Sequence, residues 1–436
     1  MNKRIEILTL WVTWIVRLLT GAVFIYSGFV KAVDPWGTLY KFIEYFDAWH
    51  LNLPVNLLLV AVFALCIYEF VIGVFLVSGA FRRSTPLFAL LFMCVMLPLT
   101  LWIAMANPVE DCGCFGDALI LTNWQTFWKN IILTLLLVWL LRFNTRLQCL
   151  IRPSIQWIAL ITSSAYIVCL AMIGYYYQPL IDFRPYPDGA KLIDDGVTED
   201  DESEYLFIYR KDGVDHSFTI EDTLPDEADG WEFIERRRTD PSKVIISKHH
   251  NSASTFRIWS EDGNEDVTDE VIDNEGDYLL LLMPDLDNVS ISTTWKINAL
   301  YRWTENNDIS MMAVVAATPQ GIERWYDLAL PEYPIYTAED TEIKMLARGN
   351  PAVAFIRDGK VEWKSTLRAL PNDDFASDKV NISPDELKRD DKTALRNITW
   401  LYIAVMAAII CLSYMTHIPK YFQLYRRRSS SDESTH

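Results

Sequence analysis

Six apolar runs constrain this chain more than any other feature. They lie at roughly residues 8–30, 55–79, 86–106, 124–143, 155–177 and 397–416, and each is long enough to cross a hydrocarbon core, which takes about 20 helical residues. Inside lipid every backbone N–H and C=O must be satisfied within the segment or by a closed sheet, so runs of this kind predict an α-helical polytopic membrane bundle of six transmembrane helices. The first run is too long and too rich in tryptophan for a cleaved signal peptide, and no small-residue cleavage site follows it, so it is expected to be retained.

Charge gives the orientation. Basic residues collect at Lys3-Arg4, Arg82-Arg83, Arg142, Arg146 and Arg152, and at Lys420 with Arg426-Arg427-Arg428, which is every second boundary between runs. Those boundaries are expected to face the cytoplasm. The chain carries a formal charge of −18, but residues 178–396 alone hold 47 Asp and Glu against 24 Lys and Arg, a net of −23, and the rest is +5. The expectation is a six-pass protein of a bacterial inner membrane with both termini cytoplasmic and residues 178–396 periplasmic. So acidic an exterior repels phosphate and excludes nucleic acid as a partner, leaving the lipid bilayer and exported proteins.

One charge falls inside each of the first two apolar runs. Arg17 and Glu69 each lie about ten residues from the inner end of antiparallel helices, so their depths are expected to match. An isolated arginine at mid-bilayer costs about 2.5–3.5 kcal/mol, and pairing with Glu69 would offset it. The pair reads either as a structural ion pair locking a helical hairpin or as a quinone or proton site. Between these helices, Trp36 to Trp49 reads as an amphipathic segment on the outer membrane surface, with Trp36, Tyr40, Tyr45 and Trp49 suited to the interface. Gly73 and Gly79 suit close helix packing.

The functional candidate is Glu110-Asp111-Cys112-Gly113-Cys114-Phe115-Gly116-Asp117, a polar loop between the third and fourth runs. Cys66, Cys94, Cys169 and Cys411 lie in apolar spans and Cys149 in a cytoplasmic loop, where a thiol behaves as a small hydrophobe. Cys112 and Cys114 are flanked by glycines and face an oxidising compartment. A bridge across one residue is strained and reducible, which favours exchange over bracing. The alternatives are a structural loop staple and a soft-metal site, but two thiolates without a nearby histidine fall short of a closed zinc site, so no metal site is assigned. The neighbouring Glu110, Asp111 and Asp117 are expected to raise the thiol pKa values.

The hairpin carrying Arg17, the Ser27-Gly28-Phe29 to Lys31 and Asp34-Pro35 sequence, Glu69 with Gly73, and above all Cys112-Gly113-Cys114-Phe115-Gly116 resemble the DoxX-like and MauE-like family of four-helix membrane proteins, over about residues 8–145. MauE-like members are linked to disulfide formation in an exported methylamine dehydrogenase subunit, and DoxX-like members to quinone-linked sulfur oxidation. The resemblance implies that Cys112 and Cys114 are the redox pair. Two further helices and an outer domain are appended here, as in Bacteroidetes-type chains of this family.

The outer region divides by pattern. Residues 194–204 read as an acidic linker. Tyr205 to Tyr209 and Phe256 to Trp259, followed by Asp212-Gly213 and Asp262-Gly263, predict a small β-rich module, with Arg236-Arg237-Arg238 as a solvated face. Then come a strand at 278–283, a helix at 293–304, a strand at 311–317, a helix at 322–330, a short strand at 335–336, a helix at 341–347, and a hairpin of 352–357 with 360–364 opened by Asn350-Pro351. That order resembles the thioredoxin fold, where a cis-proline precedes the hairpin. In place of its Cys-x-x-Cys stands Pro284-Asp285-Leu286-Asp287-Asn288, and no cysteine occurs from 170 to 410. A domain without thiols cannot exchange disulfides, so its expected role is to hold a client. His249-His250 reads as surface loop.

The expected organisation is a four-helix domain at 1–150, a fifth helix at 151–180, a linker with the β-rich module at 181–276, a thioredoxin-like domain at 277–395, and the last helix with a basic tail at 396–436. The function this supports is a thiol-disulfide relay acting on an exported or periplasmic client, with a quinone near Arg17 and Glu69. The rival is a non-enzymatic scaffold or assembly factor.

Overall fold

The computed structural model describes residues 3–109, 112–192, 205–211, 214–218, 232–238, 256–272, 275–371 and 382–415. Glu110, Asp111, the acidic run 194–204, Asp212-Gly213, His249-His250, the side chains of Arg236 to Arg238 and the tail from His417 lie outside them. The chain forms two compact units, one of Met1–Arg184 with Ala347–Val353 and Lys364–His436, the other of Pro185–Leu346 with Ala354–Trp363.

The first unit is an integral membrane bundle with six candidate spans. Its helices are α1 (Lys3–Val33), α2 (Pro35–Ala48), α3 (Val55–Ser78), α4 (Ser84–Ala106), α5 (Asn123–Phe143), α6 (Gln156–Tyr176) and a last helix, Asp391–Met415. α2 is the predicted amphipathic segment, started by Pro35 and capped by Asp34, whose carboxylate accepts from the Gly37 N–H at 2.9 Å. The last helix lies against α6. There Tyr166 and Tyr402 stack at 4.2 Å, and the Tyr402 hydroxyl is 3.0 Å from that of Ser163.

Glycines set the α1/α3 hairpin. A Cβ at Gly73 would stand 2.5 Å from the Ile25 nitrogen, one at Gly28 2.5 Å from the Phe70 nitrogen, and one at Gly21 2.6 Å from a Val77 methyl. The two backbones meet where side chains are absent, which is how helices associate without a hydrophobic driving force. This fixes the register, with Gly21 against residues 73–77 and Gly28 against residues 66–70. Gly79, expected to pack in the same way, instead caps α3 in the left-handed conformation with φ +68°.

In the second unit, β1 (Tyr205–Lys211), β2 (Val214–Phe218) and β3 (Glu232–Arg238) form an antiparallel sheet in the order β2-β1-β3. The expected strand Phe256 to Trp259 does not join it. Trp259 exchanges backbone hydrogen bonds with Thr337 at 2.8 and 3.0 Å, in the strand β6 (Ile335–Thr337), while Phe256 and Ile258 are buried. A three-residue strand at a sheet edge leaves unpaired backbone groups, and this segment satisfies them.

The remaining elements are β4 (Asp277–Met283), α7 (Thr294–Asn306), β5 (Ser310–Val315), α8 (Pro319–Ala329), β6, α9 (Asp340–Leu346), β7 (Ala352–Arg357) and β8 (Lys360–Thr366), in a sheet ordered β6-β5-β4-β7-β8. β4, β5 and β6 run parallel, with Leu280 opposite Met312 and Val314 opposite Tyr336. Leu279 to Met283 are wholly buried, as an unbroken apolar strand covered on both faces should be. Asp358 and Gly359, both at positive φ, make the tight β7–β8 turn, and the Asn350–Pro351 peptide is cis. The fold is thioredoxin-like, as the element order predicts.

Gly73→Ala forces a methyl group into the Ile25 backbone. The expected cost is about 1–3 kcal/mol, the range for overpacking, read as a lower thermal-aggregation midpoint in detergent. An unchanged midpoint would remove the glycine account of the hairpin.

Candidate redox site

The cysteine loop is pinned at both ends. Asn107 closes α4 in the left-handed conformation, and the Asn123 amide donates to Asn107 Oδ1 at 2.8 Å and to the Val109 carbonyl at 3.0 Å. α5 then starts on a capping box, Thr122 with Gln125. Within the loop, Gly113 and Gly116 sit at φ +62° and +52°, and the Gly116 N–H donates to the Gly113 carbonyl at 3.1 Å. A Cβ at Gly113 would also stand 2.9 Å from Lys41 Cγ, so this turn takes glycine on both counts.

Cys112 and Cys114 are free thiols with their Sγ atoms 2.8 Å apart, Cys112 buried and Cys114 half-buried. Their backbones are held by side chains distant in sequence. The Tyr45 hydroxyl donates to the Cys112 carbonyl at 2.5 Å. The Cys114 carbonyl accepts from Ser27 Oγ at 2.8 Å and from Lys31 Nζ at 2.6 Å. Lys31 also donates to Ser27 Oγ at 2.7 Å and to Glu69 Oε2 at 2.8 Å, with 6% and 4% of the Lys31 and Glu69 side chains exposed. All three ammonium hydrogens therefore have an acceptor, which a buried lysine requires. Tyr45, expected at the membrane interface, is a buried member of the site.

The structure does not bring Arg17 and Glu69 together. Arg17 donates to the Val77 carbonyl at 2.8 Å and the Gln148 carbonyl at 3.3 Å, and its guanidinium lies 4.4 Å from the Trp14 ring centroid. The reason is register. The glycine contacts set Arg17 opposite the end of α3, beside Gly79, whereas Glu69 lies ten residues earlier on α3, about 15 Å along the helix. Arg17 caps exposed carbonyls at a helix end, and the lysine that compensates Glu69 is Lys31.

Electrostatics separates the two thiols. The hydrogen bond shared with Cys112, aided by the Lys129 and Lys31 ammonium groups, outweighs burial and holds Cys114 below the usual thiol range. The same hydrogen bond, together with burial, pushes Cys112 up. Asp117, expected to raise both thiols, is instead bound by Arg348 at 2.5 Å, and Arg348 reaches Asp34 at 2.8 Å. Lys129 stands 4.2 Å from the Phe115 ring centroid. Next to Cys114, a small cavity of about 30 Å³ is bordered by Ser27, Glu69, Phe115, Lys129 and Asn130. That is room for water, not for a cofactor ring.

The sequence singles out the thiol pair but places Tyr45 at the membrane interface and gives Ser27, Lys31, Lys129 and Arg348 no role beside the thiols. Ser27 and Lys31 did carry a signal, being four residues apart on one helical face. Lys129 is the first base after the long stretch from Ser84 that holds no Lys or Arg. Tyr45 and Arg348 give no sign in the sequence.

Among known families, residues 9–143 match the model described as methylamine utilisation protein MauE. Residues 9–143 form a MauE-family membrane domain. It encloses both thiols, Ser27, Lys31, Glu69 and Lys129. Residues 203–239 match a domain of unknown function. No curated protein matches the chain. A solution structure of a candidate protein disulfide isomerase from Bacteroides thetaiotaomicron aligns at 12% identity over 33% of this chain and 83% of its own, with a TM-score of 0.22. The thioredoxin-like assignment rests on the strand order rather than on that alignment.

Two measurements test the geometry of the MauE-family domain. In a double-mutant cycle, Lys31→Met should cost about 3–5 kcal/mol by leaving Glu69 buried and unpaired, and adding Glu69→Gln should recover most of it. The Arg17–Glu69 cycle should show coupling near zero, and a large Arg17 coupling would reverse the assignment. In differential alkylation with mass spectrometry, Cys114 should gain reactivity at a lower pH than an ordinary thiol. Cys112 should stay unreactive into the alkaline range, and parallel profiles for the two thiols would exclude the asymmetry.

Proposed function

We propose that this protein is a membrane thiol-disulfide relay in which Cys112 and Cys114 cycle between dithiol and disulfide while the outer domain recruits an exported client. The supporting observation is the pair itself, two free thiols 2.8 Å apart with one favoured as thiolate. In the exchange, two client thiols and the loop disulfide become a client disulfide and the loop dithiol, or the reverse, through one mixed disulfide. Cys114 is the exchanging sulfur, being more exposed and more readily ionised, and Cys112 resolves the intermediate.

In this reading the site faces the periplasm of a bacterial inner-membrane protein whose termini are both cytoplasmic, as the basic boundaries favour. The thioredoxin-like domain works through binding, because the turn Leu286–Asn288 stands where its fold would carry thiols.

Trapping in cells tests both the chemistry and the client. Cys112→Ser should accumulate a mixed disulfide through Cys114, seen on non-reducing gels, with little or none from Cys114→Ser. A pair found permanently oxidised, with both serine variants functional, would favour the scaffold.

A further inference from the structure

The thioredoxin-like fold carries one side chain that is costly in two ways. Leu330 ends α8 in the left-handed conformation, at φ +46° and ψ +60°, with its N–H donating to the Tyr326 carbonyl at 3.2 Å. Glycine ordinarily fills that position, and a bulky residue there is strained. Leu330 is also 73% exposed, more than any other large apolar side chain among the described residues, so burial does not offset the strain. Strain of this kind points to a use outside the fold itself.

Leu330 has apolar company. The Asn298 amide of α7 donates to its carbonyl at 3.4 Å, and Arg302 meets Glu332 at 3.3 Å, so α7 lies along the segment that follows α8. Trp295, three residues before Asn298 on the same helical face, is exposed, as is Leu328, two before Leu330. Around this patch the charge is negative. From Asp285 to Glu332 the chain has seven acidic residues, all exposed, against three basic ones. Of those three, Lys296 is buried and Arg302 is held by Glu332.

Resting on the relay reading, in which the outer domain recruits the client, we infer that this patch is the recruiting surface and that it takes a cationic, apolar segment of an exported polypeptide. Charge selects among occupants. A second copy would set the same acids face to face, and an anionic lipid surface would meet them with like charge. A segment of apolar side chains interspersed with lysine or arginine fills the patch and compensates its rim. Trp295 and Leu330 are its anchors, one an exposed indole of large contact area, the other an apolar side chain that the left-handed backbone presents to solvent.

The test uses the full-length Cys112→Ser/Cys114→Ser protein in phosphatidylcholine nanodiscs, so that binding is read without thiol chemistry. The probe is a fluorescein-labelled peptide of alternating leucine and lysine, with empty nanodiscs as the blank and a leucine–glutamate peptide as the charge control. Saturable binding above the blank is expected by fluorescence polarisation, weakening as salt is raised, and about tenfold or more weaker for the glutamate peptide. Leu330→Gly and Trp295→Ala should each raise the dissociation constant about tenfold. Glycine suits the left-handed position, so Leu330→Gly should melt no lower than its parent, which separates a lost anchor from a lost fold. Binding equal to the blank, equal affinity for the two peptides, or unchanged affinity in Leu330→Gly would each overturn the inference, as would a dimer in detergent that Leu330→Gly dissociates. The relay has its own readout. If the peptide does not bind while Cys112→Ser still accumulates mixed disulfides in cells, this inference falls and the relay stands; if the peptide binds and no mixed disulfide forms, the relay falls and the binding surface stands.

Discussion

The buried contact between Lys31 and Glu69 is the interaction on which the site depends. Two charges nearly removed from solvent are tolerated only when mutually compensated and fully hydrogen-bonded, and here the third ammonium hydrogen reaches the Cys114 carbonyl. The electrostatic requirement of the helix pair thus also holds the cysteine loop in place. The close α1/α3 approach through Gly21, Gly28 and Gly73 decides which residues oppose one another, and so which cation meets Glu69.

Much of the architecture can be read from the chain because it rests on local signals. Hydrophobic length gives the spans, and alternating strand and helix patterns closed by Asn350-Pro351 and Asp358-Gly359 give the thioredoxin-like order. The cysteine pair is legible because glycines and a polar loop set it apart from the five thiols elsewhere. The partners of the site are not legible, because they depend on register. Counting residues from helix ends matched Arg17 with Glu69, but α1 runs 31 residues and its contact with α3 is offset by glycine packing. A depth estimate that ignores where backbones touch errs by whole turns. Of the acidic neighbours only Asp117 can be followed, and it is bound by Arg348, while Lys31 on α1 and Lys129 on α5 act on Cys114 with the opposite sign.

The two folds divide the work in an unusual way. A thioredoxin-like domain ordinarily brings its own sulfur chemistry, but this one has a 3-10 turn capped by Asp285 at that position. The paired cysteines lie instead in a MauE-family helical domain. In the proposed relay, recognition and electron transfer are thus assigned to different parts of one polypeptide.

Arg348 has a consequence for biogenesis. It is buried and joined to Asp34 and Asp117, and Asp117 lies 231 residues before it. At synthesis rates of about 5–20 residues per second, roughly ten to fifty seconds separate the emergence of the loop from that of its arginine. During that interval the first four spans can insert, but two carboxylates near the thiols still lack their counter-ion. The cysteine site is therefore finished only after most of the polypeptide has left the ribosome, so a truncated product keeps both sulfurs without their completed surroundings.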